Sequence, residues 1–307
     1  MKRIKYISFI IVMATLVAGC ERDITLDLPH PEEAIVVEGH IEAGQFPYII
    51  LMQNAAYFSP VDINTFAGLF VHDAIITLSN GDQTVLMDEI CLSTLPANLK
   101  PLVYQFLGIT QDPPPGQDYC AYVNFSMTGQ EGKAYSIRIE SSMDTLTATT
   151  TIPPHVPIDS IWFEPDAVYG DSLAAVRIQF KDPDTLGNYY RFFSKVNAEP
   201  FYPGYFGSVR DDNFANGQIF RGTIPRGVPS GSTINFETYG LFRKGDTAIV
   251  KVAVIDADQY EFWRTLEDQK RQNGPFSSPT YVKGNINGGL GVWGGYGSIT
   301  DTIIINY

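Results

Sequence analysis

The sequence predicts a mainly β protein with two antiparallel β-sandwich domains of the Ig-like kind, the second carrying one α-helix. Three observations favour this fold class. Short apolar runs alternate with polar residues at a period of two, turn residues are abundant with 27 glycines and 20 prolines, and helical spacing is confined to short stretches. Many short strands joined by turns are typical of antiparallel sandwiches. The length of 307 residues suits two domains, since a domain averages about 150 residues.

The first domain is predicted over residues 32–152. Asn80-Gly81 suits the positive φ angles of a type I′ turn and therefore predicts a β-hairpin. Strands are expected on both sides of this turn and in the other apolar or alternating runs, namely 34–41, 48–52, 74–79, 83–87, 135–140 and 146–152. An excursion between Cys91 and Cys120 interrupts this pattern, and part of it, 97–107, is a candidate for a short helix.

Residues 153–157 form a proline-rich linker, and the second domain is predicted over residues 158–307. Proline lacks the N–H that a strand ladder needs, so the linker is placed outside both sheets. A helix is expected near 257–272, because apolar side chains recur there at helical spacing and Asp256 with Gln259 resembles a capping box. Strands are expected at 158–163, 175–180, 188–193, 219–224, 233–239, 247–255 and 298–306.

The N-terminus has the pattern of a lipoprotein signal peptide. Three cations precede an uncharged run that is too short to span a membrane, which needs ~20 apolar residues. The run ends in small residues followed by Cys20, which resembles the bacterial lipobox. We predict a cleaved signal over residues 1–19, lipidation of Cys20 and a tether over 20–31; the alternative is an ordinary signal peptide that contains a cysteine.

The two remaining cysteines, Cys91 and Cys120, are an even pair in a chain with an export signal. Such pairs form disulfides in oxidising compartments. A disulfide between them is therefore expected, and two unpaired thiols are the alternative.

Exposed rings are the most promising binding feature in the sequence. Tyr202, Tyr205 and Phe206 lie in a loop rich in glycine and proline, and exposed aromatic side chains favour stacking on ligands or packing into partner proteins. The alternative is that these rings fold back over the edge of the sandwich.

Several kinds of chemistry are disfavoured. The net charge of −13 argues against nucleic acid. The string Gly289-x-Gly291-x-x-Gly294 matches a dinucleotide fingerprint, but a strand rather than a helix is expected after it. The four histidines lack zinc-site spacing, and three acidic pairs, Asp182/Asp184, Asp211/Asp212 and Asp256/Asp258, suit turns or caps better than calcium. We expect neither metal, cofactor nor catalytic residues.

A set of motifs follows the lipobox in a defined order: VVEGHI (36–41), AIITL (74–78), GKAYSI (132–137), NYYR (188–191), NGPFSSP (273–279) and NINGGLGVWG (285–294). Together they resemble the domain-of-unknown-function family 4249 of Bacteroidetes lipoproteins. The resemblance implies an outer-membrane lipoprotein that is often encoded beside a TonB-dependent transporter.

The expected function follows from this resemblance and from the predicted anchor. We expect a non-enzymatic lipoprotein, held by its lipid at the periplasmic or the cell-surface face of the outer membrane, that assists a TonB-dependent transporter in nutrient capture or uptake. One alternative is a structural or adhesive surface module with Ig-like spacer domains. A carbohydrate-active or other hydrolytic enzyme is a further alternative.

Overall fold

The computed structural model describes residues 33–54, 66–107, 112–213, 216–229, 231–271 and 281–306. The predicted signal peptide, the tether and Cys20 lie outside these residues. Glu33–Tyr307 forms one compact unit. In the part of the chain that the structure describes, strands make up 45% and helices 10%, which confirms the mainly β fold class.

Sixteen strands form two sheets in the described residues. They are β1 (Ile35–Glu42), β2 (Tyr48–Gln53), β3 (Ile75–Ser79), β4 (Thr84–Cys91), β5 (Cys120–Val123), β6 (Ala134–Glu140), β7 (Thr145–Thr151), β8 (Ser160–Pro165), β9 (Leu173–Lys181), β10 (Tyr189–Val196), β11 (Tyr202–Pro203), β12 (Val209–Asp211), β13 (Ile219–Ile224), β14 (Phe242–Arg243), β15 (Thr247–Ile255) and β16 (Leu290–Ile304).

The larger sheet has twelve strands in the order β11-β10-β15-β16-β1-β2-β5-β4-β3-β6-β7, with β12 paired to β10. Its centre is the parallel pair of β1 and β16, in which Val36 lies opposite Leu290 and Glu42 opposite Tyr296. The sheet folds back on itself, since the Gly295 N–H of β16 donates to Thr150 Oγ1 of β7 at 2.8 Å. Inward side chains of β1, β2, β3, β6 and β7 pack with Trp293 into one core.

The smaller sheet, β13-β9-β14 with β8 on β9, covers the other half of the larger sheet. Alternate side chains of β9 pack against β10 and β15, for example Phe180 on Tyr190 with ring centroids 5.0 Å apart. Each half of the chain therefore has its own buried cluster. Because β1 and β16 join the halves in one sheet, backbone hydrogen bonds cross the predicted boundary, and the division into two domains stays a prediction.

Two α-helices accompany the strands in the described residues, α1 (Lys100–Leu107) and α2 (Ala257–Arg271). The predicted start of α2 is confirmed, because Asp256 Oδ1 accepts the Gln259 N–H at 2.9 Å. The Gln259 side chain does not complete a capping box; it donates to the Gly295 carbonyl at 2.6 Å and so fastens the helix to β16. In the described ranges, neither helix has the length and apolar character to cross a membrane.

Two local predictions are wrong. The hairpin of β3 and β4 forms, but Ser79 pairs with Thr84, so four residues make the turn. Gly81 alone among them has a positive φ angle, whereas a type I′ turn needs two. The strand expected at 233–239 does not form: residues 233–235 are irregular and residues 236–239 are turns. Asn235 Oδ1 accepts the Glu237 N–H at 3.0 Å, which favours a turn over a strand ladder.

The glycine string at 289–294 lies at the start of β16, which continues into the strand that was expected after the string. Gly291 has a φ angle of +100°, and a Cβ atom on it would lie 2.0 Å from the Val37 carbonyl oxygen. This glycine is thus required for the close pairing of β16 with β1, which accounts for the string without a nucleotide.

Candidate functional site

The aromatic residues singled out in the sequence lie between β10 and β12. Tyr202 is half-buried in β11, whereas the next two rings, Tyr205 and Phe206, are 50% and 43% exposed. They meet Phe236, which is 76% exposed, and the half-buried Tyr239. We call Tyr205, Phe206, Phe236 and Tyr239 the aromatic patch.

Phe206 lies at the middle of the aromatic patch. Its ring centroid is 4.9 Å from that of Tyr239 in an edge-to-face contact, 5.1 Å from Tyr205 and 5.9 Å from Phe236. Rings in such contacts attract one another, beyond the effect of the area they bury. The patch is therefore one continuous apolar surface.

Hydrogen bonds hold the loop of the aromatic patch in place. The Tyr205 N–H donates to Tyr239 Oη at 2.6 Å. The Ser208 N–H and hydroxyl both donate to Glu267 Oε1 of α2, at 2.9 and 2.6 Å. The exposed rings are thus presented by a loop that is fastened to the body of the protein.

A second feature, a charged cluster at the centre of the larger sheet, was not predicted as a site. Side chains of β1 alternate, so Val37 and Ile41 enter the core while Glu38, His40 and Glu42 lie on the opposite face. The strands β16, β15 and β10, which follow β1 on one side of the sheet, each add one more residue. We call Glu38, His40, Glu42, Arg191, Lys251 and Tyr296 the central cluster.

Glu42 is the most strongly bonded carboxylate of the central cluster. Its oxygens accept from Lys251 Nζ at 2.9 and 3.0 Å, from His40 Nε2 at 3.2 Å and from the Ser298 hydroxyl. Burial by itself raises the pKa of Glu42. The hydrogen bonds and the Lys251 charge outweigh that effect and lower the pKa to about 2. Glu42 is therefore ionised at neutral pH.

His40 is stacked between two tyrosine rings. Its centroid lies 4.3 Å from that of Tyr296 and 5.2 Å from that of Tyr48. Burial lowers the pKa of His40, and the charges of Lys251 and Arg191 lower it further against the opposing effect of Glu42. The imidazole is thus neutral at pH 7, and because Glu42 accepts from Nε2, the free lone pair is on Nδ1.

Arg191 connects the central cluster to α2. Its guanidinium carbon lies 3.4 Å from the centre of the Trp263 ring, and Nη1 donates to Tyr296 Oη at 3.2 Å. The Trp263 indole N–H donates to the same oxygen at 3.2 Å. Arg191 is 7% exposed, so its charge is compensated by aromatic faces and a phenol. Burial raises the pKa of Tyr296, which keeps its hydroxyl proton as a donor.

Glu38 is the free acceptor of the central cluster. Its side chain is exposed and makes no hydrogen bond with the residues that the structure describes. Desolvation raises its pKa, although the charges of Arg191 and Lys270 oppose this. Its cross-strand neighbour is Ile50 of β2.

Ile50 and Tyr48 lead from the central cluster into an apolar groove of about 280 Å³. The remaining walls come from β4, β5, α1 and the segment between β4 and α1, and include Ile90, Leu92, Val103 and Val123. Tyr119 also lines the groove, and its buried hydroxyl finds no hydrogen-bond partner among the described residues. An apolar groove suits a small ligand with an apolar body, and Glu38 is the cross-strand neighbour of one of the groove residues, Ile50.

Cys91 and Cys120 are joined in a disulfide in the structure. They lie directly opposite each other on β4 and β5, with their Cα atoms 4.1 Å apart. The bridge closes the excursion that includes α1 and lies beside the apolar groove, since Cys120 is among the groove residues.

One carboxylate of each acidic pair accepts hydrogen bonds from donors of the chain itself. Asp182 accepts from the Tyr190 hydroxyl and from the Gly217 N–H at 3.0 Å. Asp212 accepts the backbone N–H groups of Gly187 and Asn188 at 3.0 Å. Asp256 caps α2. These carboxylates thus order turns and a helix end, the roles that the sequence favoured over calcium binding.

Comparison with known sequences decides the family. The profile of the family described as "Domain of unknown function (DUF4249)" matches residues 21–302. The chain belongs to this family. A search of curated proteins finds no match.

Two of the motifs in which the chain resembles DUF4249 proteins meet at the central cluster. Glu38 and His40 come from VVEGHI, and Arg191 comes from NYYR. Sequence reasoning treated them as markers of the family and missed the cluster. One signal was present: three ionisable side chains occupy alternate positions of the otherwise apolar strand β1, which places them together on one face.

Proposed function

We propose that this DUF4249 protein is a non-enzymatic outer-membrane lipoprotein that assists a TonB-dependent transporter in nutrient capture or uptake. The aromatic patch carries the proposal. Contiguous exposed apolar surface is uncommon on monomeric proteins and marks interaction sites, and aromatic rings are the side chains that most often dominate protein interfaces.

The way the aromatic patch is held supports a docking role. The Ser208–Glu267 and Tyr205–Tyr239 hydrogen bonds fix the loop before any partner arrives. Binding by a fixed loop costs little ordering entropy, so more of the contact energy contributes to affinity. A lipid on Cys20 would confine the protein to the membrane that contains the transporter, which raises its effective concentration there.

The apolar groove and Glu38 supply the capture part of the proposal. A nutrient with an apolar body would bury it against Ile50 and Val123 and donate a hydrogen bond to Glu38. This site lies on a face of the larger sheet whose other end is covered by α2, the helix that also fastens the aromatic patch through Glu267.

Copurification from native membranes tests the docking role. The tagged full-length protein is extracted in mild detergent and its partners are identified by mass spectrometry. The proposal expects the wild type to recover a TonB-dependent barrel. The Phe206→Ala/Phe236→Ala variant should recover at most about one tenth as much of that barrel, because aromatic rings in an interface contribute about 2 kcal/mol or more each to binding.

The matched control removes two exposed apolar side chains elsewhere, Ile75→Ala/Leu86→Ala on β3 and β4, which are 58% and 59% exposed. The control should recover the barrel as the wild type does. Absence of any barrel from the wild-type sample, or equal recovery with the Phe206→Ala/Phe236→Ala variant, would contradict the proposal.

A further inference from the structure

Four side chains of metal-ligating type converge on β4, β5 and the segment before β3, beside the apolar groove that Cys120 also lines. They are His72, Glu89, Cys91 and Cys120, and one ligand atom from each lies within 4.8 Å of all the others. His72 Nδ1 is 2.8 Å from Glu89 Oε1, and Cys91 Sγ is 3.7 Å from the same oxygen.

The topology of the sheet brings these residues together. Glu89 and Cys91 are two residues apart on β4 and therefore share a face. Cys120 is the cross-strand partner of Cys91. His72 lies in the segment that enters β3. The Asp73 N–H donates to Glu89 Oε2 at 2.9 Å, and this hydrogen bond orients the carboxylate so that Oε1 faces His72. Metal ligands are commonly oriented by such hydrogen bonds from residues outside the coordination shell.

The set fits a tetrahedral zinc ion. Zinc binds thiolate sulfur at about 2.3 Å and imidazole nitrogen or carboxylate oxygen at about 2.0 Å, so its ligand atoms lie about 3.3–3.8 Å apart. The four ligand atoms of this set lie within 4.8 Å of one another, which is near that range. The main change needed for zinc binding is that the two bonded sulfur atoms separate. We propose that His72, Glu89, Cys91 and Cys120 form a zinc site that exists only when the disulfide is reduced.

The chemistry makes the disulfide and the metal mutually exclusive. A dithiol reductant breaks the Cys91–Cys120 bond by transferring two electrons and two protons, and is itself oxidised to a disulfide. Zinc then displaces the two thiol protons and binds both thiolates, with His72 Nδ1 and Glu89 Oε1 completing the shell. In the reverse direction a disulfide oxidant accepts two electrons from the thiolates and two protons from water, so it becomes a dithiol; the Cys91–Cys120 bond forms again and the ion is released. Cys91 is partly exposed, which gives the reductant access.

Cobalt titration tests the site, because Co²⁺ reports thiolate ligation and tetrahedral geometry through its absorption spectrum. The full-length protein is extracted from membranes, and one half is reduced with a phosphine and freed of excess reagent. We expect the reduced protein to bind one Co²⁺ with thiolate charge-transfer bands that Zn²⁺ bleaches, and the oxidised protein to show no such bands.

Single variants assign the ligands. His72→Ala and Glu89→Gln should each weaken Co²⁺ binding to the reduced protein by about tenfold or more. Even residues that only hydrogen-bond to a metal ligand typically contribute 10–100-fold to metal affinity. The control is His155→Ala, which removes a comparable His–Glu pair with a 2.7 Å contact and should leave the affinity unchanged. Cys91→Ser/Cys120→Ser should lose the charge-transfer bands.

Circular dichroism before and after reduction establishes that the reduced protein is folded. Failure of the folded, reduced wild type to bind Co²⁺ would overturn the proposal. So would equal affinity of the His72→Ala and Glu89→Gln variants and the wild type, since the thiolates would then act without the other two residues.

Discussion

Replacing Glu42 by glutamine should produce a stability loss that depends on pH. The carboxylate is 13% exposed and is held by Lys251, His40 and Ser298. Glutamine has nearly the same shape, but it has no negative charge to pair with Lys251. Its N–H₂ group would also face hydrogen-bond donors where the carboxylate now accepts. The substitution thus removes the ionic interaction while it keeps the volume of the side chain.

The expected loss of unfolding free energy follows from the pKa shift of Glu42. The pKa of Glu42 falls from 4.5 to about 2 in the folded protein, and at about 1.36 kcal/mol per pH unit this contributes about 3 kcal/mol to stability at pH 7. A carboxyl whose pKa is lowered by folding stabilises above its unfolded value. The contribution is lost as the pH falls from 4.5 toward 2, and about 2 kcal/mol of it is gone at pH 3.

Urea unfolding of wild type and Glu42→Gln at pH 7 and pH 3 measures this effect. The difference in unfolding free energy should be about 3 kcal/mol at pH 7 and shrink to roughly half or less at pH 3. Glu140→Gln serves as the control, because Glu140 pairs with Arg138 on the surface with both side chains about half exposed and should cost less than about 1 kcal/mol. A difference that is the same at both pH values would refute the account of Glu42.

Three further changes test the fold. Gly39→Ala places a Cβ atom 2.5 Å from the buried Trp293 ring and should lower the unfolding free energy by about 1–3 kcal/mol; an unchanged urea midpoint would be inconsistent with this packing. Cys91→Ser/Cys120→Ser opens a loop of 29 residues and should cost about 3.5 kcal/mol in the chain-entropy account, seen as a lower melting temperature that reductant no longer affects. Asp256→Ala removes the cap of α2 and should lower the unfolding free energy by about 1–2 kcal/mol, with faster amide hydrogen exchange in the first helical turn. An exchange rate equal to that of the wild type would argue against the cap.

The fold class and most strands were predictable because their signals are local. A period of two in β6, β7 and β9 indicates that one face of each strand is buried and the other is more exposed, and helical spacing after an acidic cap indicates α2. The first half of β16 was missed. Glycine disfavours strands, yet here it is required by close backbones, since a Cβ atom on Gly297 would lie 1.8 Å from the Pro153 carbonyl oxygen.

The long-range pairing and the central cluster could not be predicted from local patterns. β1 and β16 come from opposite ends of the described chain, and nothing within either strand specifies its partner. The cluster depends on that pairing, because it brings Tyr296 to the face that holds His40. The aromatic patch is the reverse case. Glycine and proline around Tyr205 and Phe206 indicated an exposed loop, and tertiary structure added Phe236 and Tyr239.

Docking on a transporter through the aromatic patch is the central claim, and site-specific photocrosslinking in native membranes tests it most directly. A benzophenone side chain replaces Phe206, or Ile75 as an exposed apolar position on β3. After illumination, we expect a covalent product with a TonB-dependent barrel from position 206 and none from position 75. The same product from both positions, or none from position 206 in cells that contain the transporter, would contradict the claim.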